Sequence, residues 1–156
     1  MSTNVSLAVV RDTTLEEIGV DDPTPTPFDV ATGMGEMRLM GAQVGRHVLV
    51  ADALMGTRVT PLAAQLGRQV YVVTLSGASD TYVLEAHGPV TRLLVHSNGD
   101  VVEDRGAPLP VETEVLTGAV DLEDAHLAVV VALVDADQSA VREVSFVALA
   151  DEVLPL

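Results

Sequence analysis

The chain has 156 residues, with eight arginines, no lysine and 23 Asp or Glu residues, which give a net charge of −15 at pH 7. Hydrophobic residues make up 48% of the sequence, which excludes a largely disordered protein, and no apolar run approaches the roughly 20 residues of a membrane-spanning helix. The absence of cysteine excludes thiol catalysis, thiolate zinc sites and a disulfide scaffold.

The N-terminal part predicts a short strand, a short helix and an irregular strap. Residues 7–10 form a β-prone run. Thr14 and Glu17 have the spacing of a capping box, and Gly19 is placed to end a helix of one to two turns. Three prolines at alternate positions predict an irregular strap over 21–29, because proline fixes φ and lacks an N–H. The length predicts one domain over 1–156.

The middle of the chain predicts strands. The β-rich segments are 46–51, 69–75, 81–86, 90–96 and 101–104. Between the last two, Asn98-Gly99 is typical of a two-residue hairpin turn, which pairs His96 with Val101, Val95 with Val102 and Leu94 with Glu103. Between the first two, the sequence predicts a short helix, capped by Thr60, started by Pro61 and ended by Gly67.

The C-terminal part predicts two helices. Asp121 and the acidic residues after it favour a helix start before the apolar run 127–134, although the valines of that run also fit a strand. Ser139 is placed to cap a last helix that extends to residue 150. The whole pattern predicts an α+β fold: a mainly antiparallel sheet of four to six strands with two or three helices packed on it.

The order of these elements resembles that of a group of small, uncharacterised actinobacterial proteins. The resemblance is carried by LAVVRDTTLEEIG at 7–19, by GRHVLVADALMG at 45–56 and by the alternation from Gln69 to the Asn98-Gly99 hairpin. This chain has His47 or Val48 where the group has tryptophan, and Asp52-Ala53-Leu54 in place of the group's acidic-Pro-Asn turn. Because the group has no established activity, the resemblance implies the α+β fold and assigns no catalytic residue.

The charge is concentrated in the second half of the chain. Residues 1–78 contain eight acids and five arginines, whereas 79–156 contain fifteen acids and three arginines. This field repels phosphate backbones and anionic lipid, so we expect no binding to nucleic acid or to a membrane surface. It attracts a basic protein. The same charge is also explained by solubility alone or by adaptation to salt. The candidate partner-binding residues are Asp100, Glu103, Asp104, Glu112, Glu114 and Asp121.

The sequence contains no complete motif for catalysis or for binding a cofactor. The four histidines lack the spacing of metal-binding motifs. The best candidates for metal ligands are Asp121, Asp124 and His126, but acids at that point are better explained by a helix N-terminus. We therefore expect no cofactor and name no catalytic residue.

Three functions fit the sequence. The first is a non-catalytic, acidic interaction module of immunity or inhibitor type that binds a basic partner. The second is a structural subunit of a larger assembly such as a virion or an injection particle, with the proline strap as a docking arm. The third is a small-ligand or enzymatic domain in which Tyr71, Tyr82 and His96 converge. The N-terminus lacks the basic region and long apolar stretch of a signal peptide, which predicts a cytoplasmic protein.

Overall fold

The computed structural model describes residues 4–33, 36, 38–53 and 59–150, and these residues form one antiparallel sheet. The nine strands are β1 (Asn4–Val10), β2 (Val20–Pro27), β3 (Met40–Val44), β4 (His47–Asp52), β5 (Val70–Ser76), β6 (Thr81–His87), β7 (Arg92–Ser97), β8 (Asp100–Arg105) and β9 (Ser145–Leu149). Their order across the sheet is β2-β9-β3-β4-β1-β5-β6-β7-β8. The two edges are therefore β2 and β8.

In the described part of the chain, five α-helices accompany the sheet: α1 (Leu15–Ile18), α2 (Phe28–Ala31), α3 (Leu62–Leu66), α4 (Leu122–Leu133) and α5 (Gln138–Glu143). A π-helical turn, Glu112–Leu116, precedes α4. Asp121 is the N-cap of helix α4, and its side chain accepts a hydrogen bond from the Asp124 N–H. The capping box of Thr14 and Glu17 forms as predicted, and Gly67 ends α3 in the left-handed conformation.

The central strands are apolar because helices cover both faces of the sheet. Every residue of β1 after Asn4 is buried. On one face, which we call the α4 face, Val5, Leu7 and Val9 pack with residues of α4 such as Val129. On the opposite face, Ala8 and Val10 belong to a second core with Ile18 of α1 and Leu62 of α3. No helix in the described part of the chain is long and apolar enough to cross a bilayer.

The sheet has more strands than the four to six that the sequence predicts. Where the irregular strap was expected, the chain forms edge strand β2 and the start of α2, although the pairing of β2 with β9 has two register shifts. The predicted last helix ends at Glu143, and the next residues form β9. Phe146 is fully buried on the α4 face, and β9 pairs with both β2 and β3. Long-range pairing therefore overrides the helical spacing of the valines.

The hairpin between β7 and β8 has the predicted turn and a shifted register beyond it. Asn98 and Gly99 both have positive φ, and His96 pairs with Val101 as expected. A bulge then places Glu103, rather than Val102, opposite Val95. A bulge adds one residue to one strand, so the residues after it change face. Of the Asp52-Ala53-Leu54 segment, the structure describes only the first two residues.

Candidate functional site

Three acidic segments meet at one end of the sheet. The turn between β5 and β6 lies beside the turn between β7 and β8, since the Asn98 N–H donates to the Asp80 carbonyl oxygen over 2.9 Å. The start of α4 lies at the same end, where His126 contacts Tyr82. We call this surface the acidic end and define it by four residues: Asp80, Asp100, Asp121 and Glu123. The three aspartates are exposed and Glu123 is half-buried.

An aromatic cluster lies beneath the acidic end. Tyr82 of β6 and His96 of β7 are directly paired across the two strands. His126 of α4 covers both: its ring stacks on Tyr82 with centroids 5.3 Å apart and meets His96 edge-on at 5.5 Å. Burial raises the pKa of the Tyr82 hydroxyl, and the charges of Glu123, Asp80 and Asp121 raise it further. These acids therefore place a negative potential over the cluster.

One nitrogen on each of the two histidines is buried without a hydrogen bond. The Nδ1 atom of His126 lies 2.7 Å from the Leu122 carbonyl oxygen, one turn earlier in α4. Its Nε2 atom, and the Nδ1 atom of His96, have no hydrogen-bond partner among the described residues. Because a buried polar atom without a partner is rare, this pair of nitrogens needs a physical explanation.

Glu112, one of the predicted partner-binding residues, is buried and bonded inside the protein. Both of its carboxylate oxygens accept hydrogen bonds from Arg92, over 2.8 and 2.7 Å, and one also accepts from the Leu109 N–H. Burial raises the pKa of Glu112, but the hydrogen bonds from Arg92 and Leu109 outweigh it, so the net shift is downward. Glu112 therefore holds the loop before the π-helical turn and is not presented to a partner.

The other five predicted partner-binding residues are not on one surface. Asp104 also bonds to Arg92, and Glu103 pairs with Arg105 over 3.1 Å. Because successive residues of a strand point to opposite faces, these two acids lie on opposite faces of β8. Glu114 is exposed on the π-helical turn. Only Asp100 and Asp121 belong to the acidic end, which Asp80 and Glu123 complete. The sequence does not predict these last two residues, because their proximity to the others depends on tertiary contacts.

The arginines of the described residues are already engaged. Six form ion pairs with carboxylates, and the seventh, Arg142, lies over the Phe28 ring at 5.9 Å from its centroid. The six paired arginines are Arg11, Arg38, Arg46, Arg68, Arg92 and Arg105. These ion pairs, all within the described part of the chain, do not involve Asp80, Asp100 or Asp121, the three aspartates of the acidic end.

The predicted metal ligands do not form a common site. Asp121 caps α4, Asp124 is exposed in its first turn, and His126 points into the core. Within the described ranges, no group of three or more His, Asp or Glu side chains is arranged to hold a metal ion.

Tyr71 does not join Tyr82 and His96. It pairs with Ala86 at the opposite end of β6, whereas Tyr82 pairs with Leu75. There it lines a cleft of about 320 Å³ that we call the Arg11 cleft. The cleft is lined by Arg11, Tyr71, Leu109, Pro110, Val111, Glu114, Ala132 and Leu133. Its volume is at the lower limit for small-ligand sites.

A histidine–aspartate pair near this cleft has a structural role. The buried His47 ring accepts a hydrogen bond from the Asp12 N–H at Nδ1, over 3.0 Å. Its Nε2 atom therefore carries the proton and donates to Asp135, over 2.9 Å. Since both ring nitrogens are bonded, His47 has no free nitrogen to act as a base. It connects the end of β1 and the start of β4 to the loop after α4.

Comparison with known proteins adds no relative: no family model, curated protein or solved structure matches this chain.

Proposed function

We propose that the protein is a non-catalytic interaction module that binds a basic partner protein through its acidic end. The observation that carries the proposal is that the turns holding Asp80 and Asp100 lie side by side at the end of the sheet where α4 begins at its cap Asp121. After burial, the charges of Glu123, Asp80 and Asp121 raise the pKa of Tyr82 at the same place. These acids come from two separate parts of the chain. Their proximity is unfavourable for folding alone, because like charges repel, and a basic partner would relieve it.

The overall charge supports the same proposal. The net charge of −15 gives a long-range field that speeds the approach of a cationic surface. A partner drawn in by charge also needs apolar side chains to pack against, and strand β8 exposes two of them next to the acidic end. Val101 and Val102 on edge strand β8 are 53% and 57% exposed, directly after Asp100. Exposed apolar residues beside charged ones are typical of a binding surface whose contact area is apolar and whose rim is polar.

An oligolysine peptide with a fluorescent label is a suitable first probe, measured by anisotropy at low and high salt. We expect the wild type to bind it and affinity to fall steeply as salt rises, because the attraction is screened. The test variant carries Asp80→Asn, Asp100→Asn and Asp121→Asn. Asparagine tolerates the positive φ of Asp80 and caps a helix as well as aspartate does, so the changes remove charge with little effect on the backbone.

The matched control carries Asp21→Asn, Asp29→Asn and Asp137→Asn, which changes the net charge by the same amount elsewhere. Asp137 is itself a helix cap, of α5, and therefore matches Asp121. We expect the acidic-end variant to bind the peptide much more weakly and the control to bind nearly as the wild type does. Equal weakening in both variants would reduce the effect to net charge and contradict a defined binding surface.

A second candidate function is the binding of a small ligand in the Arg11 cleft. This cleft is lined by apolar side chains, including Leu109 and Leu133, and by Arg11, whose guanidinium also pairs with Asp135 over 3.5 Å. A small molecule with an apolar body and a carboxylate fits that combination. The test is ligand-observed NMR with aromatic carboxylates. Binding that Arg11→Met abolishes supports this function, and the absence of binding by the wild type rejects it.

A further inference from the structure

We propose that His96 and His126 form a two-histidine site for a divalent transition-metal ion beneath the acidic end. The ion would be held between the Nδ1 atom of His96 and the Nε2 atom of His126. These are the two buried ring nitrogens that have no hydrogen-bond partner among the described residues. The site is independent of the proposed partner binding and uses different residues.

The protonation of His126 leaves the required nitrogen free. Its Nδ1 atom, 2.7 Å from the Leu122 carbonyl oxygen, must carry the proton, because a carbonyl oxygen can only accept. The Nε2 atom is then unprotonated, and its lone pair lies inside the protein without a hydrogen-bond donor in the described part of the chain. A metal-binding histidine usually donates its other ring N–H to a carbonyl or carboxylate oxygen, which fixes the ring and strengthens the ligand. His126 already has that arrangement.

The spacing of the rings fits one shared ion. A ring nitrogen binds zinc at about 2.0–2.1 Å and lies about 1.1 Å from the ring centroid, so the ion would be about 3.2 Å from each centroid. With a tetrahedral angle at the ion, two such centroids are about 5.2 Å apart. The observed separation of 5.5 Å between His96 and His126 is close to that value.

The surroundings favour a cation and hold the rings in place. Tyr82 stacks on the His126 ring and fixes it from one side. His126 is fully buried and His96 half-buried, so the remaining coordination positions would open on the His96 side to water. Neutral imidazoles suit Zn²⁺, Cu²⁺ and Ni²⁺ rather than Mg²⁺ or Ca²⁺. The acids above the cluster add attraction for any positive ion.

The experiment is a calorimetric titration of the full chain with ZnCl₂ and with CuCl₂, beside MgCl₂ as a third arm. We expect one equivalent of Zn²⁺ or Cu²⁺ to bind and Mg²⁺ to bind without saturation or specificity. His96→Gln should weaken binding by at least about tenfold, because even an outer partner of a metal ligand contributes that much. His87→Gln is the matched control. That histidine is on another part of the sheet and already bonds to Glu85 over 3.2 Å.

Because His126→Gln risks unfolding the core, a second measurement tests the same residue in the wild type. Long-range ¹H–¹⁵N NMR of the histidine rings should find His126 protonated at Nδ1, with its Nε2 signal moving when Zn²⁺ is added. Two results would overturn the proposal: no one-to-one binding by the wild type, or equal binding by the wild type and His96→Gln. Either result would leave a bridging water as the explanation of the two nitrogens.

Discussion

Arg92 and Glu112 form a two-point ion pair inside the protein, with side chains only 2% and 10% exposed. The pair connects β7 to the loop that leads into α4, twenty residues later. The same guanidinium also donates to the carbonyl oxygens of Arg105 and Gly106. One side chain therefore fixes the path of the chain as it leaves the edge strand.

Removing Arg92 should destabilise the protein strongly. In Arg92→Met, the Glu112 carboxylate would stay buried without its partner, and breaking a buried pair costs about 3–5 kcal/mol. Urea unfolding measures this loss. Arg105→Met is the control, since its pair with Glu103 is exposed and contributes about 0–1 kcal/mol. The double variant Arg92→Met/Glu112→Met should recover much of the loss. Equal stability of the two single variants would contradict this account.

The same pair predicts a dependence of stability on pH. The pKa of Glu112 is lowered in the folded protein, so between that pKa and the ordinary value of 4.5 the unfolded chain binds more protons. Its contribution is therefore complete above about pH 4.5 and is lost as the pH falls through the folded pKa. The free energy of unfolding, measured at several pH values from 7 to 3, should depend less steeply on pH in Glu112→Gln than in the wild type. The exposed neighbour Glu114→Gln should leave the slope of the wild type unchanged.

Asp121 should contribute to stability as a cap and to binding as a charge. Its side chain accepts the Asp124 N–H over 3.1 Å, so Asp121→Ala should lower the free energy of unfolding by about 1 kcal/mol. Asp121→Asn should leave stability nearly unchanged, because asparagine caps equally well. Thermal and urea unfolding of both variants check this. A loss of the same size in Asp121→Asn would mean that charge, rather than the hydrogen bond, stabilises α4.

Two glycines of the β8 region should differ in their tolerance of alanine. Gly99 and Gly106 have the same φ of 86°, but a Cβ at Gly99 meets open space, whereas at Gly106 it would lie 2.8 Å from the Thr91 carbonyl oxygen. Gly99→Ala should therefore lower the free energy of unfolding only by the strain of a side chain at positive φ, about 1–2 kcal/mol. Gly106→Ala should cost clearly more. Equal losses in urea unfolding would show that the loop moves aside freely.

The hydrogen bond between His47 and Asp135 should matter more than the exposure of Asp135 suggests. Asp135 is 56% exposed, yet its loss would leave the buried His47 N–H without an acceptor, at a cost of about 1–3 kcal/mol. Asp135→Gly tests this without backbone strain, because the residue has a φ of 56°. Asp135→Asn retains an acceptor and should retain most of the stability. If the glycine variant is as stable as the asparagine variant, water satisfies His47.

Local signals predicted several local elements, although the N-caps of α3 and α5 are Pro61 and Asp137 rather than the predicted Thr60 and Ser139. The Thr14 capping box, the Asn98-Gly99 turn and the acidic start of α4 are each contained in a few consecutive residues, and each forms as expected. Strands β2, β3 and β9 were missed, and β2 and β9 pair with each other although they are more than a hundred residues apart in the chain. Prolines in one and helix-like valine spacing in the other gave the wrong local signal.

The candidate site was predictable in part. Strand spacing brings Tyr82 and His96 together, as one of the hypotheses requires. The place of His126 beside them depends on how α4 lies across the sheet, and no periodicity in the sequence contains that information. The pairing of Arg92 with Glu112 is missed for the same reason. Counting acids along 100–124 cannot separate a buried carboxylate from an exposed one.

The two edge strands of the sheet, β2 and β8, oppose edge-to-edge pairing with another molecule by different means. Strand β2 has proline at 23, 25 and 27, and proline has no N–H to offer to an incoming strand. Strand β8 has a bulge and three carboxylates, which would meet their own copies in an edge-to-edge dimer. A sheet with two free edges can pair edge to edge with its own copies, and here both edge strands carry features that oppose such pairing.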